Sequence, residues 1–558
     1  MVTSKGRSRT RRSTPQRGRR AGTDDAPATA SPSSGLAGRE LIVIAEPEAG
    51  LRVEDRSVAS IADADVAPLA NLLTSTGAVL RPLFGLSEDR LKLRASMLAS
   101  ATGVLPPDLS TFYRVEATDE RLEELAEELR GHDAIHAAFI KPAAELPQRL
   151  NDMLPAAEPA PPATTDFTPR QQYLNAAPGG IDARFAWTVK GGGGTGVRII
   201  DIEGAWRFSH EDLLQNQGGV VAGTQSPLIN WRNHGTAVVG EFGGDRNGFG
   251  ITGICPDANV RAISIFGNTP PGWGSAAAIR QAADMLNQGD IILIELHFPG
   301  PRFNFKERND QLGYIAAEWW PDNLAAIQYA ISRGVIVVEA GGNGAENLDD
   351  PIYDINPAPP HGPFPASWRN PFKRNPIDTG AIVVGAGAPP PGTHGNNFGA
   401  DRSRLDFSNY GSLFDVQGWG REVTTCGYGD LQGGVNEDLW YTDSFSGTSS
   451  ASPIVVGALS CVQGALRASG KPLLTPARAR TLLRSTGSPQ QDGPNGPRTQ
   501  RIGNRPDLRQ MLKSLVPLTP SVEDSIETPD EEAKSPGRVT LNVSGEVTIN
   551  ITGVKTSR

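Results

Sequence analysis

Cysteine is scarce: Cys255, Cys426 and Cys461 are the only three in 558 residues. So few exclude a disulfide scaffold, although one pair remains open, and without CxxC spacing or a Cys/His cluster a thiolate metal site is excluded as well. Long apolar runs are missing. None approaches the roughly 18 residues that span a bilayer, and no apolar segment follows the basic start as it would in a secretory signal. Residence in the cytoplasm, or export by a route with no visible signal, are the readings this leaves. Positive charge is concentrated at one end. Residues 1–20 hold eight Lys and Arg and no acid, so residues 21–558 carry 45 basic against 62 acidic side chains. An acidic body of this kind disfavours nucleic acid as a partner. No internal repeat is present.

A chain of this length suggests two or three folded units. Its hydrophobic share of 38%, with 63 glycines, sits near that of ordinary globular proteins and argues against wholesale disorder. Residues 1–38, rich in Arg, Ser, Thr and Pro, read as a disordered basic arm. Residues 39–144 read as a small α+β unit: Leu41–Ile44 form a buried strand, and a helix is expected over 65–76. A second helix capped by Thr118 carries Leu122, Leu125 and Leu129 on one side, and an alternating strand follows through Ile135, Ala137 and Phe139. Residues 145–175 form a Pro/Ala-rich, protease-accessible linker. The main unit spans 176–515, followed by an acidic linker (516–537) and a short β-rich tail (538–558) that reads as a hairpin about Ser544 and Gly545.

In the main unit the runs VRII (197–200), VRAISIF (260–266), IILIEL (291–296), VIVVEA (335–340) and AIVVGA (381–386) lack period-2 polarity. Strands that apolar on both sides are covered on both faces, and helices over 275–286 and 323–332 supply the cover. The expected fold is α/β, a mainly parallel sheet between helices, with sites at the carboxyl ends of its strands.

Two familiar motifs fail on inspection. GGGGTG (191–196) precedes a strand instead of opening a helix, so it is no phosphate cradle. His210 and Glu211 begin an HExxH whose second histidine is replaced by Leu214, which removes a zinc ligand. Three other places carry chemistry. Ser449 lies where SGTSSASPIVVGAL (446–459) opens an apolar helix, with Pro453 expected in its first turn, so free N–H groups and the helix dipole face any oxyanion formed there. His234, in NHGTAVVGEF (233–242), is a candidate base, with Gly235 allowing close backbone approach. Asp201 ends the strand VRII and is a candidate to orient the imidazole. Taken singly, each also reads as a cap or turn residue.

Together, and in this order, the segments DIEGAWRFSHEDL (201–213), HGT (234–236) and GTSSASP (447–453) resemble the active-site blocks of subtilisin-like serine peptidases. The resemblance extends over roughly 170–515, through GITGICPDANVRAISIFG (250–267), VIVVEAGGNG (335–344), FPASW (364–368), DFSNYGSLFDV (406–416) and IGNRPDL (502–508). It implies a subtilisin-like fold and a serine endopeptidase, a hydrolase acting on protein or peptide substrates through an acyl-enzyme. Asp201, His234 and Ser449 would be the catalytic triad and Asn343 the oxyanion-hole donor. Glu295, Leu296, His297, Gly341 and Gly342 would line the substrate cleft. The unit at 39–144 resembles the family's prodomains in size and order, which implies a self-processing zymogen. No cofactor is required for the chemistry. Calcium is implied as a structural ion, with Asp212 and Asn247 as its ligands.

The chain departs from the family at Ile202 and Glu203, where a small residue and Gly are usual, so the Asp loop carries an added acid. It departs again at Glu295–Phe298, which replace Ser-Leu-Gly-Gly. A carboxylate from Glu295 or Glu339 at the cleft would favour a basic residue before the scissile bond. Two rival readings remain: a non-catalytic binding protein that keeps the fold, and an esterase or amidase, although the GxSxG elbow of the usual esterase fold is absent around Ser449.

Overall fold

Seven strands form the central sheet in the computed structural model of this chain, which describes residues 38–147, 163–267 and 274–516. They are β1 (Arg198–Glu203), β2 (Gln217–Ala222), β3 (Asn259–Ser264), β4 (Ile291–Ile294), β5 (Ile336–Ala340), β6 (Ile382–Gly387) and β7 (Val416–Trp419). Their spatial order is β7-β6-β5-β4-β1-β3-β2, and every pairing is parallel. Helices α1 (Ile229–Gly243), α2 (Ser275–Met285), α3 (Pro321–Ser332) and α4 (Thr448–Ala468) cover it. Ile200, Ile202, Ile292 and Ile294 share one apolar cluster with α2 and α3. Asp201 and Glu203, one step out of phase, point to the opposite face, where α1 and α4 pack together.

The α/β architecture is the one expected, with two strands added. β2 reads QGGVVA and is a half-exposed edge strand. β7 reads VQGW, and its fully buried Gln417 donates to the carbonyls of Arg402 and Gly503. Glycine in one and an interior amide in the other hide the apolar signature that marks the remaining strands. α4 has the length and composition to cross a bilayer, which no unbroken apolar run suggested, yet its apolar window is wholly buried as the core helix of this sheet. All three cysteines are buried and free.

The N-terminal unit is a four-stranded antiparallel sheet in the order Val79–Pro82, Phe112–Glu116, Glu40–Ala45, Ile135–Lys141. Its helices include Ala67–Thr76 and Leu122–Arg130. Thr118 makes no side-chain cap, because a short 3-10 turn, Asp119–Arg121, precedes the helix. The run from Leu41 to Ile44 is buried on both sides for a reason local pattern cannot supply. Leu41 and Val43 pack on the unit's own Leu122, Leu125 and Leu129, while Ile42 and Ile44 join the core of the parallel-sheet unit. A bulge at Ala45 lets Ile135 face the helices while Ala137 and Phe139 turn toward that second core.

Phe139 stacks on Trp320, with centroids 6.3 Å apart and planes 22° from parallel, and meets Phe364 edge-on at 4.9 Å. Two residues on, the fully buried Lys141 places its ammonium 2.9 Å from Glu40 and in contact with Asp322, with Ser275 Oγ at 3.3 Å. Burial alone would discharge this lysine, but Asp322 and Glu40 outweigh it and hold the ammonium charged. The basic arm, the acidic linker and the proposed tail hairpin lie outside the described residues, except for Gly38 and Val516 at their edges.

Removing the cation from this trio leaves the fully buried Asp322 carboxylate without its ion pair, whereas Glu40 keeps Arg114 at 3.7 Å. Lys141→Ala is therefore expected to cost about 3–5 kcal/mol. Differential scanning calorimetry should show this as earlier unfolding, and limited proteolysis as faster digestion of residues 38–147.

Candidate active site

β1 ends in Asp201-Ile202-Glu203, and the period-2 alternation of a strand sends both acids to the same side, toward α1 and α4. Both are fully buried, as is His234 on α1. Asp201 was expected to hold the imidazole, but in the structure it does not. His234 Nδ1 lies 2.8 Å from Glu203 Oε2, and the indole N–H of Trp206 donates to Asp201 Oδ2 at 2.7 Å. The added acid of the Asp loop is thus the one that meets the imidazole. Phe445 packs edge-on against the ring, with centroids 5.5 Å apart. Gly235 is required by space, since a Cβ there would fall 2.3 Å from the Ala205 carbonyl.

Ser449 is the second residue of α4, and Gly447 precedes the helix with φ at 115°, a conformation that favours glycine. Pro453 is the helix's sixth residue and not part of its first turn. Its missing N–H therefore removes a donor that would otherwise meet the Ser449 carbonyl. The Ser449 hydroxyl donates to the carbonyl oxygen of Pro147 at 3.0 Å, and the Ser449 N–H points to the same oxygen at 3.4 Å. Two residues earlier, Glu145 exchanges both backbone hydrogen bonds with His297, at 3.0 and 3.1 Å, in antiparallel pairing. Residues 145–147, expected to be linker, thus run through the site, joined to His297 by a single antiparallel bridge at Glu145; residues 148–162 lie outside the described residues.

Asn343 follows β5, one residue after Gly342 (φ 91°). Its Oδ1 accepts from the N–H and the hydroxyl of Thr448, both at 3.0 Å, which aims Nδ2 outward. That Nδ2 donates to Gln311 Oε1 at 3.1 Å, while Gln311 Nε2 donates to the Leu146 carbonyl at 2.8 Å. Gln311 precedes the strand Tyr314–Ala316, which pairs with His297–Pro299 in a hairpin replacing the family's usual Gly-Gly. Nothing in the sequence singled out Gln311, because its role depends on where that loop folds back.

The other predicted cleft residues divide. His297 contributes its backbone to the pairing and its ring to Tyr314, at 4.6 Å. Gly341 lies against Phe414, which a Cβ would meet at 2.2 Å, and donates its N–H to Val384. Gly342 donates its N–H to Thr448 Oγ1. Leu296 belongs to the core on the far side of the sheet. Glu295 is fully buried beneath α4, where its Oε1 accepts from Ser452 Oγ at 2.5 Å and its carboxyl also neighbours the Ser449 hydroxyl. Glu339 is no cleft acid, since it neighbours Glu318 inside the fold with Arg374 nearby.

Burial governs the titration of these groups. It raises Asp201 to about 7, against the Trp206 hydrogen bond, and lifts Glu203, Glu295 and Glu241 well above the carboxylate range. It holds His234 and His297 down at about 3. His234 Nε2 has no hydrogen-bond partner, and Ser449 is turned to Pro147.

The pair expected to hold calcium does not fit the ion. Asp212 Oδ1 accepts from Asn247 Nδ2 at 2.6 Å, and Oδ2 accepts from the Ile251 N–H and the Tyr441 hydroxyl at 2.7 and 2.9 Å. Asn247 spends its own oxygen on the Phe249 N–H. Calcium wants six to eight oxygens, and no cluster of three metal-capable side chains exists among the described residues.

A model of the subtilase family, peptidase S8, matches residues 198–504. Subtilisin Savinase of Lederbergia lenta is 26% identical over 273 residues, covering 48% of this chain and 77% of that protein. An alkaline protease of Alkalihalobacillus alcalophilus is 26% identical over 273 residues, and the match spans 54% of its length. Among solved structures, the epidermin leader peptide processing serine protease of Staphylococcus aureus overlays at a TM-score of 0.47 with 16% identity, covering 86% of this chain and 98% of that one.

Two outcomes are expected. A buried carboxyl with a raised pKa favours the folded state at low pH and loses that contribution as pH climbs from its unfolded value near 4 toward its folded one. Asp201, Asp212 and Glu318 (each to about 7), with Glu203, Glu241, Glu295 and Glu339 likewise raised well above the usual carboxylate range by burial, act this way. His210, His234 and His297, held at about 4, 3 and 3, act oppositely but are outnumbered. The melting temperature should therefore fall between pH 4.5 and pH 7, as a thermal-shift series would record. Asp212→Asn should not change how the melting temperature responds to EDTA, since Asp212 and Asn247 spend their oxygens on Ile251, Tyr441, Phe249 and each other.

Proposed function

The chain belongs to the subtilase family, and from that premise we propose that it is a serine endopeptidase, synthesised with its own N-terminal unit lying in the cleft. One observation carries the reading: Glu145-Leu146-Pro147 pairs with His297 as a peptide substrate would and delivers the Pro147 carbonyl to Ser449. In this reading Ser449 Oγ attacks the carbonyl carbon while His234 Nε2 accepts the hydroxyl proton. The negative charge that develops on the carbonyl oxygen is met by the Ser449 N–H and by Asn343 Nδ2. His234 then passes the proton to the departing amide nitrogen as the C–N bond breaks. Water attacks the acyl-enzyme by the same route in reverse and frees Ser449.

The arrangement also accounts for restraint. Asn343 Nδ2 gives one of its two hydrogens to Gln311, and the Pro147 oxygen receives the Ser449 N–H only at 3.4 Å. The N-terminal unit is anchored by Phe139 and Lys141 a few residues upstream, which keeps residues 145–147 at high local concentration in the cleft. The unit therefore acts as a tethered inhibitor until the chain is cut.

Wild-type chain should cleave the Pro147–Gln148 bond, giving a large fragment whose N-terminal sequencing begins at Gln148, whereas Ser449→Ala should stay intact and hydrolyse no casein. An intact wild-type chain that still hydrolyses casein would remove the self-processing step. Casein hydrolysis by Ser449→Ala would remove Ser449 as nucleophile.

A further inference from the structure

Two carboxyls two residues apart on β1 compete to hold His234. We infer that Glu203, and not Asp201, is the carboxylate that orients the His234 imidazole for proton transfer. The inference rests on the peptidase reading above and names a positioning residue within it. Glu203 Oε2 meets Nδ1 at 2.8 Å with both side chains sealed from solvent. Asp201 gives one oxygen to the Trp206 indole, and its carboxyl otherwise lies against that of Glu203, with no hydrogen bond to the imidazole. The longer side chain, one residue pair further along the strand, arrives where the imidazole is.

The chemistry needs that contact. For Nε2 to take the Ser449 proton, the neutral imidazole must carry its single proton on Nδ1, and an ionised carboxylate accepting there fixes that tautomer and stabilises the imidazolium that forms. The proton count closes without a further carrier. The hydroxyl proton moves to Nε2 as the O–C bond forms, then leaves with the amine nitrogen as the C–N bond breaks, and Nδ1–H stays with Glu203 throughout. A protonated Glu203 would instead donate to Nδ1, place the imidazole proton on Nε2 and block the base.

Four titratable groups face Glu203: Asp201 on the same strand, Glu295 at the end of β4, His234 on α1, and Tyr428. Burial first, then the charges of Asp201 and Glu295, push the Glu203 carboxyl up, while burial keeps His234 neutral far into the acid range. The low-pH limb of the rate profile therefore follows the titration of the coupled Glu203–His234 pair, which the charges of Asp201 and Glu295 move to higher pH through Glu203.

The test uses the full chain as wild type and as Glu203→Gln, Glu203→Asp and Asp201→Asn, with casein hydrolysis and fluorophosphonate labelling of Ser449 followed across pH 4–9. Glu203→Gln should lower kcat by about 10³–10⁴-fold with little change in KM, the size of effect expected when a triad carboxylate becomes an amide. Glu203→Asp should restore part of the loss. Asp201→Asn, which keeps an acceptor for Trp206, should stay within about tenfold of wild type and move the low-pH limb to lower pH, because one acid that raises Glu203 is gone. A loss in Asp201→Asn equal to or greater than that in Glu203→Gln overturns the inference and leaves the peptidase reading standing. So does a Glu203→Gln enzyme within tenfold of wild type. A wild-type chain that neither cleaves protein nor labels at Ser449 overturns both. Should Glu203→Gln fail to fold, the partial activity of Glu203→Asp and the limb shift of Asp201→Asn decide.

Discussion

Exclusion of water governs this molecule. Asp201, Glu203, His234, Glu295, His297, Asn343 and Ser449 all lie at the carboxyl edge of one parallel sheet with no solvent exposure. A charge there is answered only by neighbouring side chains and backbone dipoles, so each carboxyl is pushed toward its neutral form and each imidazole likewise. Under that constraint, small differences in contact decide roles. Trp206 gives Asp201 an indole donor, Ser452 gives Glu295 a hydroxyl, and Glu203 is left with the imidazole.

The same exclusion explains how the N-terminal unit is held. Its sheet has two apolar faces: one packs on Leu69, Leu73, Leu122, Leu125 and Leu129 of its own helices, and the other shares a cluster with Leu91 of the unit's helix Glu88–Thr102 and with the core of the parallel-sheet unit. The second would be partly exposed in isolation, so the unit stays against α2 and α3, where Phe139 completes an aromatic cluster and Lys141 completes an ion trio that neither part satisfies alone. Lys141 lies only six residues from Pro147. Anchor and cleft segment are thus mechanically one piece, and the position of the Pro147 carbonyl is fixed from a distance by a stacked ring and a buried ammonium.

Much of this was legible in the chain. Five runs without polar alternation could only be strands covered on both faces, and the parallel sheet follows from them. HGT and GTSSASP carried enough information to place His234 and Ser449 on helices beside the sheet edge; Ser449 is the second residue of α4 as expected, but α1 already begins at Ile229, so His234 lies in its second turn and not at its start. What local pattern could not carry lies where a partner comes from far along the chain. β7 is stabilised by a buried amide bonding to Arg402 and Gly503, and Gln311 acquires its contacts only after a hairpin has folded over Asn343. The burial of Ile42, Ile44 and Phe139 required knowing that a second unit sits on that face.

The acid of the site is the instructive case, because the residues were visible and their roles were not. Asp201 and Glu203 share a strand face by the period of two, so sequence alone places both near the imidazole and leaves the choice to a few ångströms of side-chain reach and one competing donor. Trp206, five residues after Asp201, returns its indole to that carboxylate and removes it from contention. A longer side chain two residues on then meets Nδ1 from a different point of the strand, and the imidazole is held by geometry that a match to the motif's first residue would assign to its neighbour. A turn residue three positions outside the strand thus decides which acid the histidine sees.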